Sequence, residues 1–256
     1  MLQGLHVAPL SFLSTSILFA DIVDYSIFRS TMTPTKLFDL LTRLFAKFDL
    51  LADYHAVQRV DAIDGCYLAA TNFSTQQSQD HAFRLARFAL DAMSAASATP
   101  IDEDRPNLGS VRLQVGLHCG PVCGLMMGAH GGRKYTLVGD AVNVASRMES
   151  QGAAGAVQCS ETFAAELGAE FGQDFGAGLD LMRRAGVLHV RGWGPMPTYW
   201  LSWAAITGGN DPAARAGVSP PAILGYPGPY RVRPVPAGPE GPLSRGPWAT
   251  SQSRSV

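Results

Sequence analysis

Three features of the sequence predict an α+β sandwich of the ferredoxin-like βαββαβ type, extended by added C-terminal strands. Short apolar runs alternate with segments whose apolar residues recur every three or four positions. Their order is strand, helix, two strands, helix, two strands, then more of both. A hairpin dipeptide, Asp64-Gly65, parts the second strand from the third.

The elements follow in order. Ser16 to Ala20 is a short apolar run ending in an acid, as a buried strand does. Thr33-Pro34 reads as a helix start, with Thr33 as N-cap and Pro34 at the first helical position. Leu37, Leu40, Leu41, Leu44, Phe45, Phe48 and Leu51 then mark one helical face. Val57 to Thr71 reads as a hairpin, and Asp80 to Ala96 as a second amphipathic helix. Val111 to Leu117 alternates with period 2; Gly120-Pro121 then suggests a turn into another strand, Val122 to Met127. Tyr135 to Val138 is a short strand, and Gly139-Asp140 opens a helix over Ala141 to Met148. Val187 to Val190 and Thr198 to Trp203 are expected to close the domain as a hairpin.

The 256 residues are divided into a lead (1–13), one large domain (14–205) and a tail (206–256). The tail holds 10 Pro and 8 Gly in 51 residues, a composition that predicts disorder. Twenty basic and 21 acidic residues leave a net charge of -1, which argues against nucleic acid as the main partner. Four cysteines exclude a disulfide-built scaffold and fit a reducing, cytoplasmic setting. The run from Leu10 to Ala20 is too short and too interrupted by hydroxyl residues to cross a bilayer, and lacks the basic start of a signal peptide.

Two segments carry chemistry. Asp21 ends the first strand, and a tight turn with exposed backbone N–H groups follows through Tyr25 and Ser26. Such a carboxylate suits Mg²⁺ bridging to phosphates, because Mg²⁺ takes hard oxygen ligands and few of them from protein. Further on, Asn143 and Arg147 lie four apart on one helix, hence on one face. An amide beside a guanidinium forms an anion clamp.

Three stretches resemble the class III adenylyl/guanylyl cyclase catalytic domain. They are Phe19 to Val23, Gly139 to Ser150, and Val190 to Leu201, the last similar to the closing Val-Lys-Gly-Lys-Gly-x-Met-x-Thr-Tyr pattern. The resemblance covers about residues 14 to 203 in the family's order and spacing. It implies cyclisation of GTP or ATP to the 3′,5′-cyclic monophosphate and pyrophosphate, with Mg²⁺ or Mn²⁺. It also implies that two domains pair head to tail, as a homodimer or a heterodimer with another cyclase domain. Each site would then take metal ligands from one partner, and base-reading and transition-state residues from the other.

Matched residue by residue, the resemblance makes Asp21 and the Ile22 carbonyl metal ligands. Asn143 would orient the ribose, Arg147 would stabilise the pentavalent phosphorus, and Arg191 would contact the phosphates. Asp61 and Thr136 fall on the base-reading positions. A carboxylate accepts from the guanine N1–H and amino group, whereas adenine offers no such pair, so Asp61 favours GTP.

Three positions depart from the family. Gly65 stands where the second metal-binding Asp is expected, and Asp64 comes one residue early, which on a strand is the opposite face. Asp64 could serve as ligand if a bulge shifts the backbone. Asp24 replaces a glycine, and Trp193 a lysine. The alternative reading is therefore a degenerate or partner-dependent domain that acts as a regulatory subunit or nucleotide-binding module. The four cysteines read as small apolar residues, with Cys66 the one open to oxidation. His118 and His130 have no visible partners, and Arg133 and Lys134 read as solvated.

Overall fold

A computed structural model describes residues 10–127, 134–171, 178–190 and 193–203. The 206–256 tail and most of the lead lie outside the described residues. The first strand, β1 (Leu10–Ile22), is followed by a short helix α1 (Tyr25–Thr31) and the long α2 (Pro34–His55). The hairpin β2 (Gln58–Ile63) and β3 (Cys66–Thr71) leads to α3 (His81–Ser97), β4 (Leu113–Met127) and β5 (Lys134–Val138). Then come α4 (Asp140–Ser150), β6 (Val157–Ser160), α5 (Glu161–Phe171), β7 (Leu179–Arg183), β8 (Leu188–Val190), β9 (Gly194–Met196) and β10 (Thr198–Trp203).

The main sheet runs β2-β3-β1-β4-β6-β10-β7, with β5 also paired to β4. Its first four strands have the ferredoxin-like order, and the later strands extend it beyond β4. All pairings are antiparallel except β4 with β6.

The helices cover both faces, so the central strands are buried along much of their length, including the polar Thr15, Ser16 and His118. On one face α2, α3 and α5 bury Leu40, Leu44, Phe48, Leu85, Phe88 and Phe163 against β1, β3 and β4. Thr33 caps α2 as the sequence predicts, its Oγ1 accepting from the Lys36 N–H at 3.4 Å, with Pro34 opening the helix. On the other face, Ala141 and Ala145 of α4 pack with Ile17, Val122 and Leu137. Val144 and Met148 of the same helix meet Leu188, Val190 and Met196 of the small β8–β9 sheet.

Two sequence expectations are corrected. Gly120-Pro121 does not turn the chain: β4 passes straight through it. Proline has no N–H for the ladder, and a bulge absorbs the defect. The β1–β4 register shifts between Phe12 and Thr15, opposite Pro121, and Leu13 in the bulge is 90% exposed. The closing hairpin also pairs differently: β8 joins β9, while β10 inserts between β6 and β7.

His118 does have partners. Its Nδ1 lies 2.7 Å from Ser160 Oγ and 3.0 Å from Thr162 Oγ1 in a fully buried setting. Burial pushes its pKa from an ordinary 6.5 down to about 4. The neutral ring is the folded form, so its contribution is intact above pH 6.5 and is lost as pH falls towards 4. The loss amounts to about 3 kcal/mol. Urea unfolding across that window should show this decline, and His118→Gln should flatten it.

Candidate active site

The end of β1, the start of α1, the β2–β3 turn and the last turn of α4 enclose an open depression of about 530 Å³. Asp21, Ile22, Tyr25, Ser26 and Asp64 all line it. Asp21 is half-buried at the strand end, opposite Cys66 and Gln114 in the flanking strands. Burial holds its carboxyl above the usual range, against the pull of a hydrogen bond from the Ile22 N–H.

The β2–β3 connection decides where the second acid goes. Strand pairing ends at Ile63 with Cys66, so Asp64 and Gly65 are the two residues of a tight turn. Both have positive φ, 50° and 82°, as a primed hairpin turn requires. Side-chain alternation along a strand does not apply to turn residues, so the opposite-face expectation for Asp64 fails, and the turn delivers Asp64 into the depression beside Asp21. The bulge in this hairpin lies earlier, between Arg59 and Asp61. The Gly65 carbonyl accepts from the Ile22 N–H at 3.2 Å and ties the turn to β1. A Cβ at Gly65 would sit 2.6 Å from Cδ2 of Tyr25, so that ring closes directly over the glycine.

Asp24 turns the chain from β1 into α1 with φ 64°, a conformation that suits the glycine it replaces and that aspartate tolerates. Its carboxylate is taken up by Arg112, Oδ2 to Nη2 at 3.1 Å, which offsets the added negative charge.

Sequence reasoning missed Glu149. It lines the depression, and burial together with Asp21 pushes its pKa up to about 7. The signal was helical phase: Glu149 is two residues past Arg147, about 200° around the helix, so it faces the chain's own sheet. The helix lies close there because β4 has Gly116, where a Cβ would fall 2.0 Å from the Glu149 backbone nitrogen. Gln114 Nε2 donates to the Glu149 carbonyl at 2.6 Å. Arg29 on α1 also lines the depression and was likewise missed.

The remaining predicted residues lie elsewhere. Asn143 and Arg147 are exposed on the outward face of α4 and do not line the depression. Asp61 and Thr136 are half-buried on β2 and β5, two strands that touch. The Asp61 carboxylate accepts from the Ala62 N–H at 2.9 Å. Arg191, Arg133 and His130 lie outside the described residues.

Among the described residues, one further group has metal-ligand chemistry: His81, Glu166 and Glu170. Its arrangement is that of a helix cap. Asp80 makes no side-chain cap bond, and Glu170 instead accepts from the N–H groups of Ala82 and Phe83 at 2.9 and 2.8 Å. The Cys66 thiol is pushed up to about 12 by burial and nearby carboxylates, which removes the thiolate that oxidation needs.

A ferredoxin-like sheet that presents carboxylates at the end of its first strand, beside a tight turn, is suited to holding a cation and phosphates. The model of the adenylate and guanylate cyclase catalytic domain matches residues 8–203, and the chain belongs to that family. It is 35% identical over 199 residues to atrial natriuretic peptide receptor 2 of Rattus norvegicus, covering 78% of this chain and 18% of the receptor. It is 33% identical over 207 residues to an adenylate cyclase of Mycobacterium tuberculosis, covering 80% and 42%. The guanylate cyclase domain of RhGC from Catenaria anguillulae, solved in complex with GTP, superimposes with a TM-score of 0.66 at 26% identity, covering 77% of this chain and all of that one. The chain thus spans less than half the length of these curated relatives. No helix among the described residues is long and apolar enough to cross a membrane.

Proposed function

We propose that residues 14–205 form a catalytic domain that converts GTP, in preference to ATP, to the 3′,5′-cyclic monophosphate and pyrophosphate, at sites shared between two chains. One observation carries this reading. Asp21 and Asp64 lie in the depression, while Asn143 and Arg147 face outward from α4 without a partner among the described residues. A second copy, docked head to tail, lays the α4 face of one chain over the depression of the other, twice in a symmetric pair.

The donor set fits a divalent cation, since the Asp21 and Asp64 carboxylates and the Ile22 carbonyl are hard oxygen ligands. Bound Mg²⁺ or Mn²⁺ would supply Lewis-acid stabilisation of the phosphoryl oxygens and of the attacking ribose oxygen. The protein's own residues then position the reactants. Tyr25 and Ser26 border the triphosphate, Asn143 orients the ribose for in-line attack on the α-phosphorus, and Arg147 takes up the charge that develops there. Arg191 joins the phosphates, and Asp61 and Thr136 read the base. Because the substrate is a cellular nucleotide, the domain is placed in the cytoplasm, alone or as part of a larger membrane-associated protein.

A second reading rests on Gly65, which offers no carboxylate at all. In a heterodimer this chain would lend Asn143, Arg147, Asp61 and Thr136 to a site whose metals a partner holds.

The test is direct assay of cyclic nucleotide from GTP and from ATP, each with Mg²⁺ and with Mn²⁺. Cyclic GMP from the chain alone supports the first reading; activity that appears only with a second cyclase domain supports the second. Asp61→Lys is expected to invert the base preference by about tenfold or more, because an ammonium donates where guanine also donates. An unchanged GTP/ATP ratio would remove Asp61 from base reading.

A further inference from the structure

Resting on the cyclase reading, we propose that Arg29 binds the terminal phosphates of the nucleotide. The depression is lined by four acids, Asp21, Asp24, Asp64 and Glu149, and Arg29 is the one basic side chain that lines it among the described residues. A triphosphate carries several negative charges, and Asp21 and Asp64 add to them even with Asp24 paired to Arg112, so a cationic side chain in the lining favours its binding there. The other arginine on this rim, Arg112, is already paired to Asp24.

Arg29 is placed and free to act. It is exposed, and it makes no hydrogen bond or ion pair with any described residue. It follows Tyr25 by four positions on α1, so the two stack on one helical face above the Asp64-Gly65 turn. Tyr25, Asp64 and Arg29 all line the same depression. Arg29 is thus the one guanidinium in a lining whose other charged groups are carboxylates, and the terminal phosphates, the most highly charged part of the nucleotide, gain most from it. A planar fork matches two phosphate oxygens at once, which a lysine cannot do. The resemblance to the family pointed to Arg191 and Arg147 for the phosphates, not to this position.

The experiment uses the full chain and two readouts. Calorimetry with magnesium pyrophosphate should give a dissociation constant about tenfold or more weaker for Arg29→Ala than for the unaltered chain, with Arg29→Lys between them. In the activity assay, KM for the nucleoside triphosphate should rise by a similar factor while kcat changes less than about threefold. Binding of the cyclic product, which lacks those phosphates, should not change. Equal pyrophosphate affinity in Arg29→Ala, or no pyrophosphate binding by the unaltered chain, overturns the inference. A chain that binds pyrophosphate through Arg29 yet forms no cyclic nucleotide would instead overturn the cyclase reading and leave this one standing.

Discussion

Arg147→Ala is expected to lower cyclic-nucleotide formation by about 10³-fold or more while leaving the fold and its stability unchanged. The size follows from the role. An arginine aimed at the developing charge on phosphorus contributes only in the transition state, so kcat falls and substrate binding changes little. The intact fold follows from the structure. Arg147 is exposed on α4, while the packing of that helix rests on Ala141, Val144, Ala145 and Met148. Asp21→Asn should abolish turnover as completely, for a different reason, since it removes the carboxylate proposed for the metal, in the depression that Arg147 does not line.

These two variants together test the geometry. If each site takes Asp21 from one chain and Arg147 from the other, mixing the two inactive proteins creates heterodimers with one wholly wild-type site. Random reassortment of equal amounts should restore about a quarter of the wild-type rate per chain. If both residues served a site within one chain, the mixture would stay dead. Unchanged turnover in Arg147→Ala alone would remove this residue from the site.

The fold was legible where periodicity was strong. The spacing of Leu40, Leu44, Phe48 and Leu51 marked α2, Thr33-Pro34 its start, and Asp64-Gly65 the hairpin, because each is a local rule acting on a local segment. What failed was long-range. Whether Gly120-Pro121 turns or passes through depends on a bulge about a hundred residues away in β1, and no local signal reports it. The partner of β10 was likewise decided by sheet order, not by sequence proximity. The same division holds in the site. Asp21 and the turn were visible in the motif. Helical phase hints at Glu149, and spacing from Tyr25 at Arg29, but that these faces meet Asp21 depends on the approach of α4 to Gly116 and the packing of α1, which are tertiary facts.

Asp64→Ala should lower activity by about 10²-fold, and Gly65→Asp should not raise it. Matching to the family alone suggests the reverse, with Gly65 as the defect and an aspartate there as the cure. The turn geometry argues otherwise. At φ 82° a side chain is strained, and its Cβ would lie 2.6 Å from the Tyr25 ring, so an aspartate displaces Tyr25 and distorts the link from the Gly65 carbonyl to Ile22. That link sits beside the Ile22 carbonyl expected on the metal. Asp64, in contrast, already faces the depression from a turn that Asp-Gly adopts readily. Its loss should show first in the cation dependence: Asp64→Ala should need about tenfold more Mn²⁺ for half-maximal rate, whereas Thr136→Ala should not shift that requirement. Wild-type activity and cation dependence in Asp64→Ala would remove it from the ligand set. A gain of activity in Gly65→Asp would mean that the turn yields and that the family's second ligand can be rebuilt at its own position.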